Sequence, residues 1–127
     1  MSLIPIASPD APAAIGPYSQ AIVYNGIVYC SGQIPLDPET GEMKAVTIEE
    51  QTHRVMKNLQ AVLETAGSGL GGIIRTTIYL QNLENFAKVN EVYASYLSKP
   101  YPARATVEVS KLPRGSQVEI DAIARLL

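Results

Sequence analysis

The feature that most limits how this 127-residue chain can fold is the alternation in two runs near its C-terminal end, "RATVEV" (104–109) and "VEIDAIA" (118–124). In extended backbone, successive side chains point to opposite faces of a sheet. One face of the first run then holds Ala105, Val107 and Val109, and one face of the second holds Val118, Ile120, Ala122 and Ala124. Apolar strand faces need a cover, and two segments have the spacing to supply it. Positions 48, 52, 55, 59, 62, 63 and 66 follow the 3.6-residue period and are apolar apart from Thr52. "NLENFAKVNEVYASYLSK" (82–99) reads as a second helix burying Phe86, Val89, Tyr93 and Leu97, ended by Pro100. Together these predict an α+β fold in which both helices pack on one face of a mixed sheet.

Local signals fill in the order. "LIPIAS" is a short apolar start, and "DAPAAIGPYSQ" is a loop punctuated by prolines and Gly16. "AIVYNGIVYCSG" joins two β-rich runs through Asn25-Gly26, a strong hairpin signal. After the turn-rich "IPLDPETGE", Thr47 and Glu50 form a capping-box pattern that starts the first helix, and Gly67 stops it. "GGIIRTTIYLQN" supplies a further strand, and "KLPRG" links the last two. The predicted order is β-β-β-α-β-α-β-β, in a single domain spanning 1–127 with no repeat and no linker.

Composition narrows the function. Net charge is −2, with one histidine and one phenylalanine, so no basic field or basic-aromatic stripe attracts a polyanion, and nucleic acid is not an expected partner. Cys30 is the lone cysteine, which rules out an intrachain disulfide and makes a reducing compartment the expectation. The N-terminal stretch lacks the patterns of a signal or transit peptide, and no run approaches a membrane span, so the expectation is a cytoplasmic protein without membrane contact. His53 lies off the apolar stripe of the first helix, and one histidine with one cysteine gives no zinc site of ordinary spacing. There is no G-x-S-x-G elbow, and "GSGLGG" (67–72) follows a helix and precedes a strand, the wrong order for a phosphate loop.

The remaining candidates lie on the other faces of the last two strands. If the strands are continuous, Arg104, Thr106 and Glu108 share one such face and Glu119, Asp121 and Ile123 the other, which sets Arg104 and Glu119 on a common second face. That face mixes charges with Ile123, Ile27 and Tyr29, a pattern that suggests contact with another subunit. Arg104, behind the stiff Pro102-Ala103, suits a bidentate grip on a carboxylate, or else an ion pair with Glu119 or Glu108. Glu119 suits a general base or acid, or a solvated strand carboxylate. Tyr18 in "GPYSQ" either orients a ligand or caps an apolar edge, and Ser31-Gly32 offer a hydroxyl and a close N–H or simply end a strand. Such a set, free of metal and cofactor, fits hydrolysis or proton transfer on an already reactive small anion.

"IGPYSQA", "SGQIPLDPETGE", "NLENFAKVNEVYASYL" and "YPARATVEVSKLPRGSQVEIDAIA" resemble the RidA (YjgF) family of 2-iminobutanoate/2-iminopropanoate deaminases over essentially the whole chain, from about residue 5 onward. The resemblance implies a chorismate-mutase-like fold assembled as a homotrimer with clefts between subunits. It also implies cofactor-free hydrolysis of 2-imino acids, released by pyridoxal-phosphate enzymes from serine or threonine, to 2-oxo acids and ammonia. By position it assigns Arg104 to the substrate carboxylate, Glu119 to the attacking water and Tyr18 to the cleft lining. Ser31, Gly32, Phe86 and Asn90 become substrate-binding contacts. Thr106 departs from relatives that carry a cysteine there, which removes thiol chemistry from expectation. The alternatives are a ribonuclease or translation inhibitor, and a non-catalytic binding or chaperone-like module using the same cleft.

Overall fold

The structure, a computed structural model, describes residues 2–127. Its elements run β1 (Ile4–Ile6), β2 (Ala21–Tyr24), β3 (Ile27–Gln33), α1 (Ile48–Thr65), β4 (Ile73–Leu80), α2 (Phe86–Ser95), β5 (Ala103–Glu108) and β6 (Val118–Arg125). The strands form one six-stranded sheet in the order β1-β2-β3-β6-β4-β5. Only β4 and β5 pair in parallel, so the sheet is mixed, and both helices cover one of its faces. The predicted element order and architecture hold.

The local chemistry behind these elements is that of the sequence. Asn25 and Gly26 both take positive φ, 54° and 79°, the backbone that a two-residue hairpin turn between twisted strands demands. Thr47 caps α1: its hydroxyl accepts from the Glu50 N–H at 3.1 Å, and the Glu50 carboxylate accepts from the Thr47 N–H at 3.0 Å. Gly67, at φ 88°, turns the chain out of the helix. The second helical segment is shorter than its pattern: a 3₁₀ turn at Leu83–Asn85 precedes α2, which ends at Ser95, leaving Leu97 past its end.

The core lies between sheet and helices. Val55, Met56, Leu59, Val62 and Leu63 of α1 are fully buried against Val28, Ile78, Leu80, Val118 and Ile120. Each such side chain contributes on the order of 1.5–3 kcal/mol by leaving water. The polar residues that α1 turns inward are paired. Thr52 donates to the Ile48 carbonyl at 2.7 Å, and Asn58 donates to the carbonyls of Ile34 and Leu36 at 3.3 and 3.0 Å. Gln51 accepts from the Gln117 N–H at 2.9 Å. In this way α1 holds the segment that follows β3 and the residue that precedes β6.

One face assignment is corrected. Parallel pairing sets Arg104 opposite Thr76, Thr106 opposite Ile78 and Glu108 opposite Leu80, and these three β4 residues are buried under the helices. Arg104, Thr106 and Glu108 therefore lie on the helix-bearing face, while Val107 stands 42% exposed on the open one. Glu119 pairs with Tyr79 on that open face. Arg104 and Glu119 of one chain project from opposite faces of the sheet, not from a common one. The physical reason is that β5 is an edge strand beside a short helix. Long charged side chains there reach solvent past the helix end, so the helix side does not require an apolar row.

Candidate active site

The predicted site residues fall into two groups. On the open face, Glu119 lies directly against Gly32. A Cβ added at Gly32 would stand 2.8 Å from the Glu119 carboxyl carbon and overlap its Oε2. The approach is possible because β3 shifts register against β6 between Cys30 and Gln33, an irregularity that brings the glycine under the carboxylate. Ser31, beside Gly32, is bonded within the chain: its hydroxyl donates to the Ser19 carbonyl at 2.6 Å, and its N–H donates to the Gln20 carbonyl at 2.9 Å. Those two bonds tie the loop bearing Tyr18 to the strand end bearing Gly32, and Tyr18 itself is 53% exposed.

Burial and the neighbouring Asp121 carboxylate raise the Glu119 pKa, so this group holds a proton to a higher pH than a free glutamate. Asp121 is kept in place by Tyr79, whose hydroxyl donates to Oδ2 at 3.1 Å, and by the Thr77 N–H at 3.2 Å. A half-buried carboxyl with an elevated pKa can take a proton from water and return it.

The second group is on the other face. Arg104 Nη1 donates to Asn90 Oδ1 at 2.6 Å, and its guanidinium carbon lies 5.3 Å from the ring centroids of both Phe86 and Tyr93. These partners are uncharged. Among the described residues no carboxylate stands within salt-bridge distance of Arg104. The charge borders a cavity of about 440 Å³ lined by Asn90, Tyr93, Ala94, Tyr101, Pro102 and Arg104. Phe86 and Asn90, which the resemblance places near the pocket, thus lie beside the arginine. Tyr93, read from sequence only as a core residue, belongs with them; its place at i+7 from Phe86 and i+3 from Asn90 was the available signal.

Two further expectations concern bystanders. Cys30 is buried, and burial with Asp121 nearby pushes its thiol up to about 12, which removes it as a nucleophile. His53 stays on the outer face of α1, where Nδ1 lies 2.8 Å from the Tyr96 hydroxyl. Thr106 keeps one oddity: its hydroxyl oxygen is buried on the Arg104 face with no hydrogen-bond partner among the described residues.

The structure thus sets an arginine without a carboxylate partner beside a cavity on one face of the sheet, and a carboxyl with a raised pKa on the other. The profile of the family described as Endoribonuclease L-PSP matches residues 8–126. A RutC family protein of Pyrococcus abyssi is 50% identical over 94% of each chain. The 2-iminobutanoate/2-iminopropanoate deaminase of Mus musculus is 44% identical over 94% of this chain and 88% of its own. The crystal structure of RidA from Psychrobacter superposes with a TM-score of 0.91 at 43% identity, covering 95% and 98% of the two chains. This chain belongs to that family, the RidA (YjgF) proteins.

Proposed function

We propose that this protein hydrolyses small 2-imino acids, such as 2-iminobutanoate and 2-iminopropanoate, to 2-oxo acids and ammonia. The observation that carries the reading is Arg104: a permanently charged group, held by one amide and two rings, with no carboxylate among the described residues within salt-bridge distance. It keeps N–H donors free for a bidentate pair with a substrate carboxylate. The activity named for the mouse relative, at 44% identity, supports the same choice of chemistry.

Since Arg104 and Glu119 lie on opposite faces of one sheet, a complete site needs the Arg104 face of one chain and the Glu119 face of another. A ring of identical chains supplies this, each presenting one face to the next, and we propose a homotrimer in the cytoplasm. The open face fits such burial: it carries Tyr24, Ile27, Tyr29, Ile123 and Val107 beside its charges.

The reaction then proceeds in two steps. Arg104 fixes the carboxylate, and Glu119 of a neighbouring chain takes a proton from a water as its oxygen bonds to the imine carbon. The C=N π electrons move to nitrogen, which takes the proton back from Glu119, giving a neutral carbinolamine. Glu119 then carries the hydroxyl proton to nitrogen; the C–N bond breaks as the C=O bond forms, leaving ammonia and the 2-oxo acid. Imines hydrolyse unaided, so orientation and proton transfer worth about 10²–10⁴-fold would suffice. The ribonuclease activity of the family description has little support in this chain, which has net charge −2 and a single histidine engaged with Tyr96.

The test generates 2-iminobutanoate from threonine with a dehydratase in the presence of semicarbazide, and measures how much imine escapes trapping as 2-oxobutanoate. Added protein should divert imine to 2-oxobutanoate, and Arg104→Ala should not. A wild type that leaves semicarbazone formation unchanged would remove the deaminase reading.

A further inference from the structure

We propose that Tyr93 is a positioning residue for Arg104: its hydroxyl is locked to Thr76, and its ring is the fixed wall that sets the direction of the guanidinium. The inference rests on the reading of Arg104 as the carboxylate grip.

An arginine that holds a planar anion must present its donors in one orientation, yet the side chain is long and Arg104 is exposed. Asn90 fixes one nitrogen, at 2.6 Å. The plane is set by what lies against its face. Phe86, Asn90 and Tyr93 fall on one side of α2, close to two turns from first to last, and Arg104 lies over both rings at 5.3 Å.

The two rings are not equivalent. Phe86 is only partly buried, at the first residue of α2, and has no tether beyond packing. Tyr93 is 4% exposed, and its hydroxyl lies 2.7 Å from Thr76 Oγ1, itself 1% exposed. A buried phenol without a partner would be costly, so this hydrogen bond fixes both depth and tilt of the ring. Thr76 is also the register partner of Arg104 across the β4–β5 pair. The linkage therefore closes on itself: the strand position beside the Arg104 backbone locks the ring that carries the Arg104 side chain. Neither Tyr93 nor Thr76 needs to touch substrate for the grip to depend on them.

The test is a double-mutant cycle read on KM and kcat in the imine assay, with calorimetric affinity for 2-oxobutanoate as a second readout. Tyr93→Phe and Thr76→Val should each raise KM about 3-fold with kcat nearly unchanged, since a looser arginine weakens ground and transition states alike. The double variant should stay near 3-fold rather than reach the product of the singles, because both remove one interaction. Tyr93→Leu, which also removes the ring, should raise KM about 5–10-fold. A KM at the wild-type value in Tyr93→Phe and Tyr93→Leu, with melting temperature alone lowered, would overturn the proposal. So would multiplicative effects in the double variant. Arg104→Ala separates the two claims. If it leaves KM and 2-oxobutanoate affinity unchanged, the carboxylate grip itself is wrong and this inference falls with it. If it weakens both while the Tyr93 variants do not, only the positioning role is lost.

Discussion

Gly32→Ala is a substitution whose outcome follows from distances. Gly32 does not have a positive φ, so alanine brings no backbone strain. The added methyl would stand 2.8 Å from the Glu119 carboxyl carbon and 3.1 Å from its Cγ, with Oε2 inside its contact radius. Carbon atoms rest at about 3.5–4.0 Å, so the carboxyl group must retreat by about 1 Å. It can do so, since it is the end of a flexible side chain, and the fold should survive with a melting temperature within a few degrees of wild type. Catalysis should not survive as well. Displacing a proton-transfer group by about 1 Å costs on the order of 10²-fold. In the semicarbazide competition assay we expect kcat to fall by about that factor while KM, set at Arg104, changes little. A variant with wild-type kcat, in which a crystal structure shows Glu119 displaced, would refute the role given to this carboxylate.

Other predictions test separate parts of the account. Arg104→Lys keeps the charge but loses the two-pronged geometry, and KM should rise about 10-fold or more, read in the same assay. Glu119→Gln should abolish most turnover and also change how stability varies with pH. The folded pKa of Glu119 lies above the unfolded 4.5, so the folded state binds the proton more tightly, and stability is lost as pH rises through the raised value. The melting temperature of Glu119→Gln should therefore exceed wild type near neutral pH, and the difference should vanish at pH 4 and below; a difference that grows toward acid would show the sign to be wrong. Thr47→Ala breaks the reciprocal cap of α1 and should cost about 1 kcal/mol, about 3–5 °C in a thermal melt. Cys30, pushed up to about 12, should resist iodoacetamide at pH 8 in the native protein and react once unfolded.

How much of this was legible in the sequence depended on whether the governing interaction was local. The Thr47–Glu50 cap, the Asn25-Gly26 turn and the Gly67 stop are contacts within a few residues, and the structure has all three. The nearness of Phe86 and Asn90 to Arg104 came from family resemblance, and the structure agrees. The orientation of β5 was misread because alternation alone does not say which face an edge strand turns to the helices. That was decided by parallel register with β4, a long-range pairing, and by solvent access past the end of α2. The same error hid the separation of Arg104 from Glu119. Tyr93 was read as core because it is core; its second role depends on Thr76, seventeen residues earlier, and on an arginine eleven residues later. The closeness of Gly32 to Glu119 needed the register shift in β3, which no local pattern announces.

The central claim is that one catalytic unit takes its arginine from one chain and its carboxylate from another. Subunit complementation tests this directly. Arg104→Ala and Glu119→Gln chains should each be inactive alone. Refolded together at equal amounts in a closed ring, about a quarter of the clefts would pair an intact Arg104 with an intact Glu119. The account predicts imine hydrolysis returning to about that fraction of wild type. Mixed assemblies that form, as native mass spectrometry would show, yet stay as inactive as either parent would contradict it.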